Sequence, residues 1–308
     1  MDRIVDIATD GRHLSAYRGF LKVEEGGREV GRIPLDDIAA VVIHAHGITY
    51  SNSLLVALAE KNCCLVVCGR NHAPVSVAWP LNGHHRQGAR MRAQWLAGKP
   101  LQKQLWQRIV VAKIENQAAI LEAVGGRSGG VAALAAKVRS GDPENVEAQA
   151  ARRYWPLLLG VDFRRDRTGG APNAMLNYGY TVIRAVTARA VVAAGLHPTI
   201  GLHHRNRGND MALADDLMEP FRPFVDVCVK RLVEQGASQV TPEVKQALVS
   251  LTAFDVPTKD GVSPLAVCIQ RLATAVGQSF EEGKASLEFP LPPKSLDLGS
   301  LVTGWQVK

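Results

Sequence analysis

Short apolar segments with strand-like character run through the first eighty residues: Arg3–Ala8, Phe20–Glu25, Val30–Ile33, Ile38–Ile43, Cys64–Cys68 and Val75–Trp79. Turn-forming clusters such as Glu25-Gly26-Gly27 and Gly69-Arg70-Asn71 separate them. One helix interrupts the series, with Ser51 as its N-cap and Leu54, Leu55, Leu58 and Ala59 at helical spacing. The pattern predicts a small, mostly β domain over residues 1–82. Residues 83–94 are polar, basic and glycine-containing, which predicts a linker or interaction loop.

Beyond the linker the texture changes to alanine- and leucine-rich helices, with no convincing strand pattern. Gln104–Val124 carries Leu105, Ile109, Ala112 and Ile120 and ends at Gly125-Gly126. Asp142-Pro143-Glu144 reads as a helix start, combining a capping Asp, Pro at the first helical position and an acid in the first turn. A long helix is expected over Asn173–Ala194, closed by Gly195, and further starts stand at Thr241-Pro242-Glu243 and Ser263-Pro264. The expected fold class is α+β, a small N-terminal β-rich domain followed by a larger all-α catalytic domain over residues 95–285. Residues 286–308, which include Pro290, Pro292 and Pro293, read as an extended C-terminal tail.

Charge narrows the range of functions. The 308-residue chain has 36 Lys+Arg against 29 Asp+Glu, a net charge of +7, and most of its cations are arginine. Arginine pairs with phosphate through a fixed two-pronged geometry, so this balance leans toward nucleic acid, while an ordinary basic enzyme fits the charge equally well. The five cysteines form no CxxC pair, which favours reduced, buried thiols over disulfides or a zinc site. With no apolar leader or membrane-length stretch, the cytoplasm is the expected location. No GxxxxGK[ST] run supports ATP hydrolysis.

The segment Gly201–Pro223 sets His203, His204, Asp215, Asp216 and Glu219 among arginines. Histidine and carboxylate are common ligands for a divalent metal, and arginine suits a phosphate backbone. On a helix, Asp216 and Glu219 share nearly one face. Glu147 lies on a helical face with Ala150, Ala151 and Tyr154, small and aromatic residues that pack inward, so its carboxylate needs a cation, a donor or a metal as partner. Taken singly, Glu147 is equally well explained by a salt bridge, while a solvated helix start is the better account of Asp215, Asp216 and Glu219, and a surface loop or packed ring of His203 and His204. Their joint occurrence in an arginine-studded domain favours a metal site.

Several segments together resemble the CRISPR-associated adaptation integrases, the Cas-one family, in their type II form. They are Ile48–Leu55, Lys113-Ile114-Glu115-Asn116-Gln117, Glu147–Trp155, Asn173–Tyr180 and Gly201–Pro223, so that the likeness spans nearly the whole chain. The resemblance implies that Glu147, His204 and Glu219 hold the catalytic metal, with Asp216 as a further acid at the site. His204 rather than His203 aligns with the family's histidine. It also implies homodimers bridged by a dimer of the small Cas-two protein, with the type II effector nuclease as a further candidate partner. The implied activity is insertion of short DNA duplexes as new spacers into a CRISPR array.

The chemistry suits these residue types. Attack of a DNA 3′-hydroxyl on a phosphodiester conserves bond energy and needs no nucleotide cofactor; Mg²⁺ or Mn²⁺ would stabilise the charge that develops. Imidazole beside carboxylate tilts the choice toward Mn²⁺. Arg165, Arg205 and Arg207 are the nearest candidates for DNA contacts, with Arg86, Arg90 and Arg92 farther out. Two alternatives stay open: a metal-dependent endonuclease or branched-DNA resolvase, in which water replaces the 3′-hydroxyl, and a non-enzymatic DNA-binding scaffold.

Overall fold

The computed structural model describes residues 3–69, 74–78, 80, 86–166, 168–204, 206, 208–299 and 301. The N-terminal part contains β1 (Arg3–Ile7), β2 (Arg12–Tyr17), β3 (Phe20–Glu25), β4 (Arg28–Pro34), β5 (Ile38–Ile43), β6 (Thr49–Tyr50), α1 (Asn52–Glu60), β7 (Cys64–Cys68) and β8 (Pro74–Ala78). The helical part follows with α2 (Gln87–Leu96), α3 (Lys99–Ala123), α4 (Ala132–Ala135), α5 (Val146–Leu159), α6 (Asn173–Ala193), α7 (Ala212–Met218) and α8 (Arg222–Glu234). It closes with α9 (Pro242–Ser250), β9 (Asp255–Thr258), β10 (Gly261–Pro264) and α10 (Leu265–Glu282). The architecture is mixed, with strands first and a mainly helical C-terminal region. Among the described residues no helix is long and apolar enough to cross a membrane.

The strands form two four-stranded sheets. One has the order β4-β3-β2-β6 and is antiparallel apart from the β2–β6 pair; the other has the order β1-β5-β7-β8, with β1, β5 and β7 parallel. Strands β1, β5 and β7 of the second sheet are buried on both faces, and the period-two alternation of their side chains decides which core each residue joins. Val5, Ile7, Val41, Ile43 and Leu65 pack with Leu14, Leu21, Leu54 and Leu58 in the N-terminal core. The alternate positions Ile4, Ala40, Val42, Cys64 and Val66 join the larger core of the helices. The strand-rich and helical parts are therefore joined through a shared sheet. Tyr178 on α6 reinforces the junction by donating its hydroxyl to Asp6 on β1 at 2.5 Å.

Local signals explain most boundaries. Ser51 accepts from the Leu54 amide and Thr241 from the Val244 amide, each capping its helix as the sequence predicts. Gly195, at φ 73°, closes α6 in the left-handed conformation that glycine adopts at least cost. All five cysteines are buried and reduced.

The structure corrects three expectations. The Asp142 start signal acts one turn downstream: helix α5 begins at Val146, while the Asp142 carboxylate reaches forward to accept from the Val146 and Glu147 amides at 2.8 and 3.0 Å. The predicted linker includes most of a helix. From Gln87 to Gln94 the chain belongs to α2, with Arg90 and Gln94 buried, while positions 83–85 lie outside the described residues. The C-terminal part is not wholly helical, because β9 and β10 form an antiparallel hairpin turning at Lys259-Asp260. Strand β2 was absent from the sequence reading because Arg12, His13 and Ser15 break its apolar pattern. The predicted tail carries no helix or strand from Lys284 to Lys294.

Helix α6 packs against α8 and α9 at Gly179. A Cβ at this position would lie 2.4 Å from Val225 Cγ1 and 3.2 Å from Leu248 Cδ2. Gly179→Ala is expected to destabilise the fold by about 1–3 kcal/mol through overpacking, read as a lower urea midpoint. An unchanged midpoint would show that the α6 contact is looser than described.

Candidate active site

The centre of the site is a buried ammonium. Lys113 lies on the inward face of α3, and its Nζ donates to Glu147 Oε1 and Glu219 Oε2, each at 2.5 Å. Glu147 comes from the first turn of α5, where Asp142 and Asn145 cap the helix; Glu219 comes from the short 3₁₀ turn between α7 and α8. The side chains of Lys113 and Glu219 are 9% and 3% exposed, so neither charge is relieved by solvent. Arg222, three residues beyond Glu219, brings Nε to 3.2 Å from Glu219 Oε1. Two carboxylates thus face two cations.

Burial alone would push the Glu219 carboxyl up, but the Arg222 and Lys113 charges outweigh it and hold the group below its usual range. Burial would likewise lower the Lys113 ammonium; Glu219 and Glu147 overcome it and raise the group instead. Glu219, Lys113 and Arg222 are therefore charged at neutral pH.

A second anchor forms the histidine loop. Asp216 is fully buried on α7 and accepts from the amides of Leu202, His203 and His204 at 2.6, 3.1 and 3.3 Å. It also bonds His204 Nδ1 at 2.6 Å, which fixes one edge of that ring. Gly201 makes the close approach possible, since a Cβ there would lie 2.9 Å from Asp216 Oδ2 and 2.8 Å from the His204 carbonyl oxygen. The Asp216 bond is the main cause that raises the His204 imidazole above its ordinary pKa; Glu219 and Asp215 add to it. His203 points elsewhere and stacks on Trp106 with ring centroids 4.4 Å apart and an interplanar angle of 4°. The two histidines therefore have different environments: His204 lies within the field of Glu219, and the exposed His203 is stacked on Trp106.

The loop is also held from below. Gln94 of α2 accepts from the His197 amide at 2.8 Å and donates to the carbonyls of His197 and Ile200 at 3.0 and 2.9 Å. The stretch expected to be a linker thus fixes the entry to the histidine loop.

Asp226 of α8 closes the back of the site. It accepts from the hydroxyl of Tyr180 on α6, with the Tyr154 hydroxyl of α5 nearby. Burial outweighs these neighbours and pushes the carboxyl up to about 7. Tyr180 presents its ring to two guanidinium groups, with Arg222 at 4.9 Å and Arg165 at 5.4 Å from the centroid. Arg165 also donates to Asn173 Oδ1 at 3.0 Å and Asn177 Oδ1 at 2.7 Å, so it is fixed in the wall beside the acids.

The other arginine candidates divide. Arg90 is buried, ion-paired with Glu281 at 3.2 Å and bonded to the Ala194 carbonyl at 2.8 Å; it joins α2 to α10 and the end of α6, which corrects its assignment as a DNA contact. Arg86 pairs with the same Glu281 at 3.0 Å and is half exposed, while Arg92 is exposed. Arg205 and Arg207 lie outside the described residues.

Comparison with known proteins places the chain in a family. The family model for "CRISPR associated protein Cas1" matches residues 5–248. The chain belongs to the Cas1 family. It is 39% identical over 251 residues to the CRISPR-associated endonuclease Cas1 of Neisseria meningitidis, an alignment covering 80% of this chain and 82% of that one. Its fold is similar to a casposase bound to integration product, with a TM-score of 0.79 at 18% identity, covering 99% of this chain and 96% of the other. A Cas6-RT-Cas1–Cas2 complex gives a TM-score of 0.74 at 18% identity over 94% of this chain and 36% of that chain.

Within this Cas1 chain, sequence reasoning passed over Lys113, Arg222 and Asp226 as members of the site. The signal for Lys113 was a lysine with the apolar Ile109 and Val110 one turn before it on α3. For Arg222 it was the spacing of three residues from Glu219.

Two pH measurements check this electrostatic layout. Between about pH 4 and 7 the folded state retains a proton on Asp226 that the unfolded chain releases, so Asp226 makes stability fall as pH rises, by on the order of 4 kcal/mol over the full interval. Asp226→Asn removes this dependence, and its urea midpoint relative to wild type should rise from pH 4 to pH 7; a constant difference would refute the buried-acid description. Separately, Asp216→Asn should lower the His204 titration midpoint followed by NMR, and an unmoved midpoint would remove Asp216 as its cause.

Proposed function

We propose that this protein is a metal-dependent DNA integrase that inserts short DNA duplexes into a CRISPR array by attack of their 3′-hydroxyls on phosphodiesters of the repeat. The observation that carries the reading is the convergence of Glu147 and Glu219 on one cation, the Lys113 ammonium, with the tethered His204 in the field of Glu219. Two carboxylates and an imidazole fit Mg²⁺ or Mn²⁺, and the arrangement already binds a positive charge between its acids. Among the described residues no three His, Cys, Asp or Glu side chains yet stand together as a metal-ligand group. Glu147, Glu219 and His204 would hold the ion.

When bound, the metal would polarise the phosphoryl oxygen and stabilise charge on the attacking or leaving oxygen. Asp216, bonded to Nδ1, would hold His204 so that Nε2 is the nitrogen offered. Arg165 would bind a DNA phosphate beside the acids, positioned by Asn173, Asn177 and the Tyr180 ring. Arg205, Arg207, Arg86 and Arg92 would extend the backbone contacts.

The neighbours support the DNA and partner assignments, since one is a casposase with an integration product and another is a complex of Cas1 and Cas2. On this basis the working unit would be a homodimer pair bridged by a dimer of the small Cas-two protein. Hydrolytic cleavage is the second reading, favoured by the endonuclease name of the Neisseria relative.

The test is strand transfer of a labelled duplex with free 3′-hydroxyls into a plasmid bearing leader and repeat, with the small partner protein and Mn²⁺ or Mg²⁺. Glu219→Ala and Glu147→Gln should each reduce covalent joining by about 10²–10³-fold, with DNA binding retained. Cutting without joining would favour the nuclease. Undiminished joining in both variants would refute the site.

A further inference from the structure

We propose that Lys113 is a tethered counter-cation that occupies the metal position of the ion-free protein, keeps Glu147 and Glu219 converged, and competes with the divalent ion for their oxygens. The proposal rests on the metal reading above and adds an exchange step to it. Nζ bonds one oxygen from each acid at the same distance, 2.5 Å, so the ammonium sits where the two carboxylates point together. Glu219 divides its oxygens, giving Oε1 to Arg222 and Oε2 to Lys113. Arg222 therefore keeps Glu219 in place when Lys113 leaves.

Helix α3 is held independently of the Lys113 ammonium. Asn116, one turn along α3, donates to the Pro220 carbonyl at 2.9 Å and ties the helix to the turn bearing Glu219. A four-carbon stem then lets the ammonium move without moving the backbone. Lysine offers three donors and no acceptor, so Nζ cannot ligate a metal while it is protonated. A divalent ion at the junction of the acids would meet a like charge at close range in a poorly solvated site, and one of the two must leave. The ammonium also explains how two partly buried carboxylates from separate elements stay close without a metal. Without a cation, their mutual repulsion would separate them.

Mn²⁺ binding to the full-length protein tests the exchange by calorimetry and by the loss of the free-ion EPR signal, neither of which depends on catalysis. Lys113→Met should bind Mn²⁺ at least about tenfold more tightly than wild type, because the competing charge is gone. In chelator the variant should melt below wild type, and saturating Mn²⁺ should narrow that gap. Equal or weaker Mn²⁺ binding by a folded variant overturns the proposal and leaves the metal reading standing. Absence of Mn²⁺ binding by both proteins overturns the metal reading and the exchange with it.

Wild type alone provides an independent check should Lys113→Met fail to fold. Amine acetylation mapped by peptide mass spectrometry should spare Lys113 in chelator and label it several-fold more in Mn²⁺, as the ammonium is released from the acids. Labelling that does not change with Mn²⁺ overturns the proposal.

Discussion

The arrangement of the helical region depends on one buried ion cluster. Lys113 joins α3 to the start of α5 and, 106 residues away along the chain, to the turn before α8. Removing a charge from water is costly, and a buried pair repays that cost only when its geometry and charge count are right. Here Lys113 and Arg222 balance Glu147 and Glu219, and the nearby Asp226 avoids adding a third uncompensated negative charge by holding its proton up to about pH 7. The same cluster that fixes the elements thus has its acids directed inward and ready to accept a cation.

The strand-rich part supports this cluster indirectly. Its parallel sheet has one face in the N-terminal core and the other against the helices, with α6 packed across β5. Helix α6 carries Tyr178 toward Asp6 and, two residues on within the same turn, Tyr180 toward Asp226. Two tyrosines two residues apart on a helix point in different directions, so one secures the sheet while the other borders the site. A disturbance at the sheet interface would therefore reach the acids through a rigid helix.

Where the local sequence decides the outcome, the fold was legible. Helices capped by Ser51 and Thr241, the closing Gly195 and the apolar strands β5 and β7 all follow from short-range pattern. Helix α2 was not legible because its polar and basic residues resemble a linker; two of them, Arg90 and Gln94, are buried only because distant carbonyls and Glu281 receive their donors. The candidate site followed the same division. Acids and histidine announced themselves by type, whereas Lys113 and Arg222 looked like ordinary surface cations until tertiary packing placed them between acids. Positive charge on an apolar helical face is informative only once its partner is known, and the partner here is remote in sequence.

The loop geometry explains why Asp216 and Glu219, three residues apart with similar side chains, take different parts. Both are buried, yet Asp216 spends its oxygens on three amides and an imidazole, all from one loop. Glu219 faces only cations, Lys113 and Arg222. A carboxylate saturated by amides has little left to offer a metal, while one held by side-chain cations can exchange them. The difference arises at Gly201, whose missing Cβ lets the loop fold onto Asp216. The glycine thus commits Asp216 to orienting His204 and leaves Glu219 as the acid able to exchange its cation.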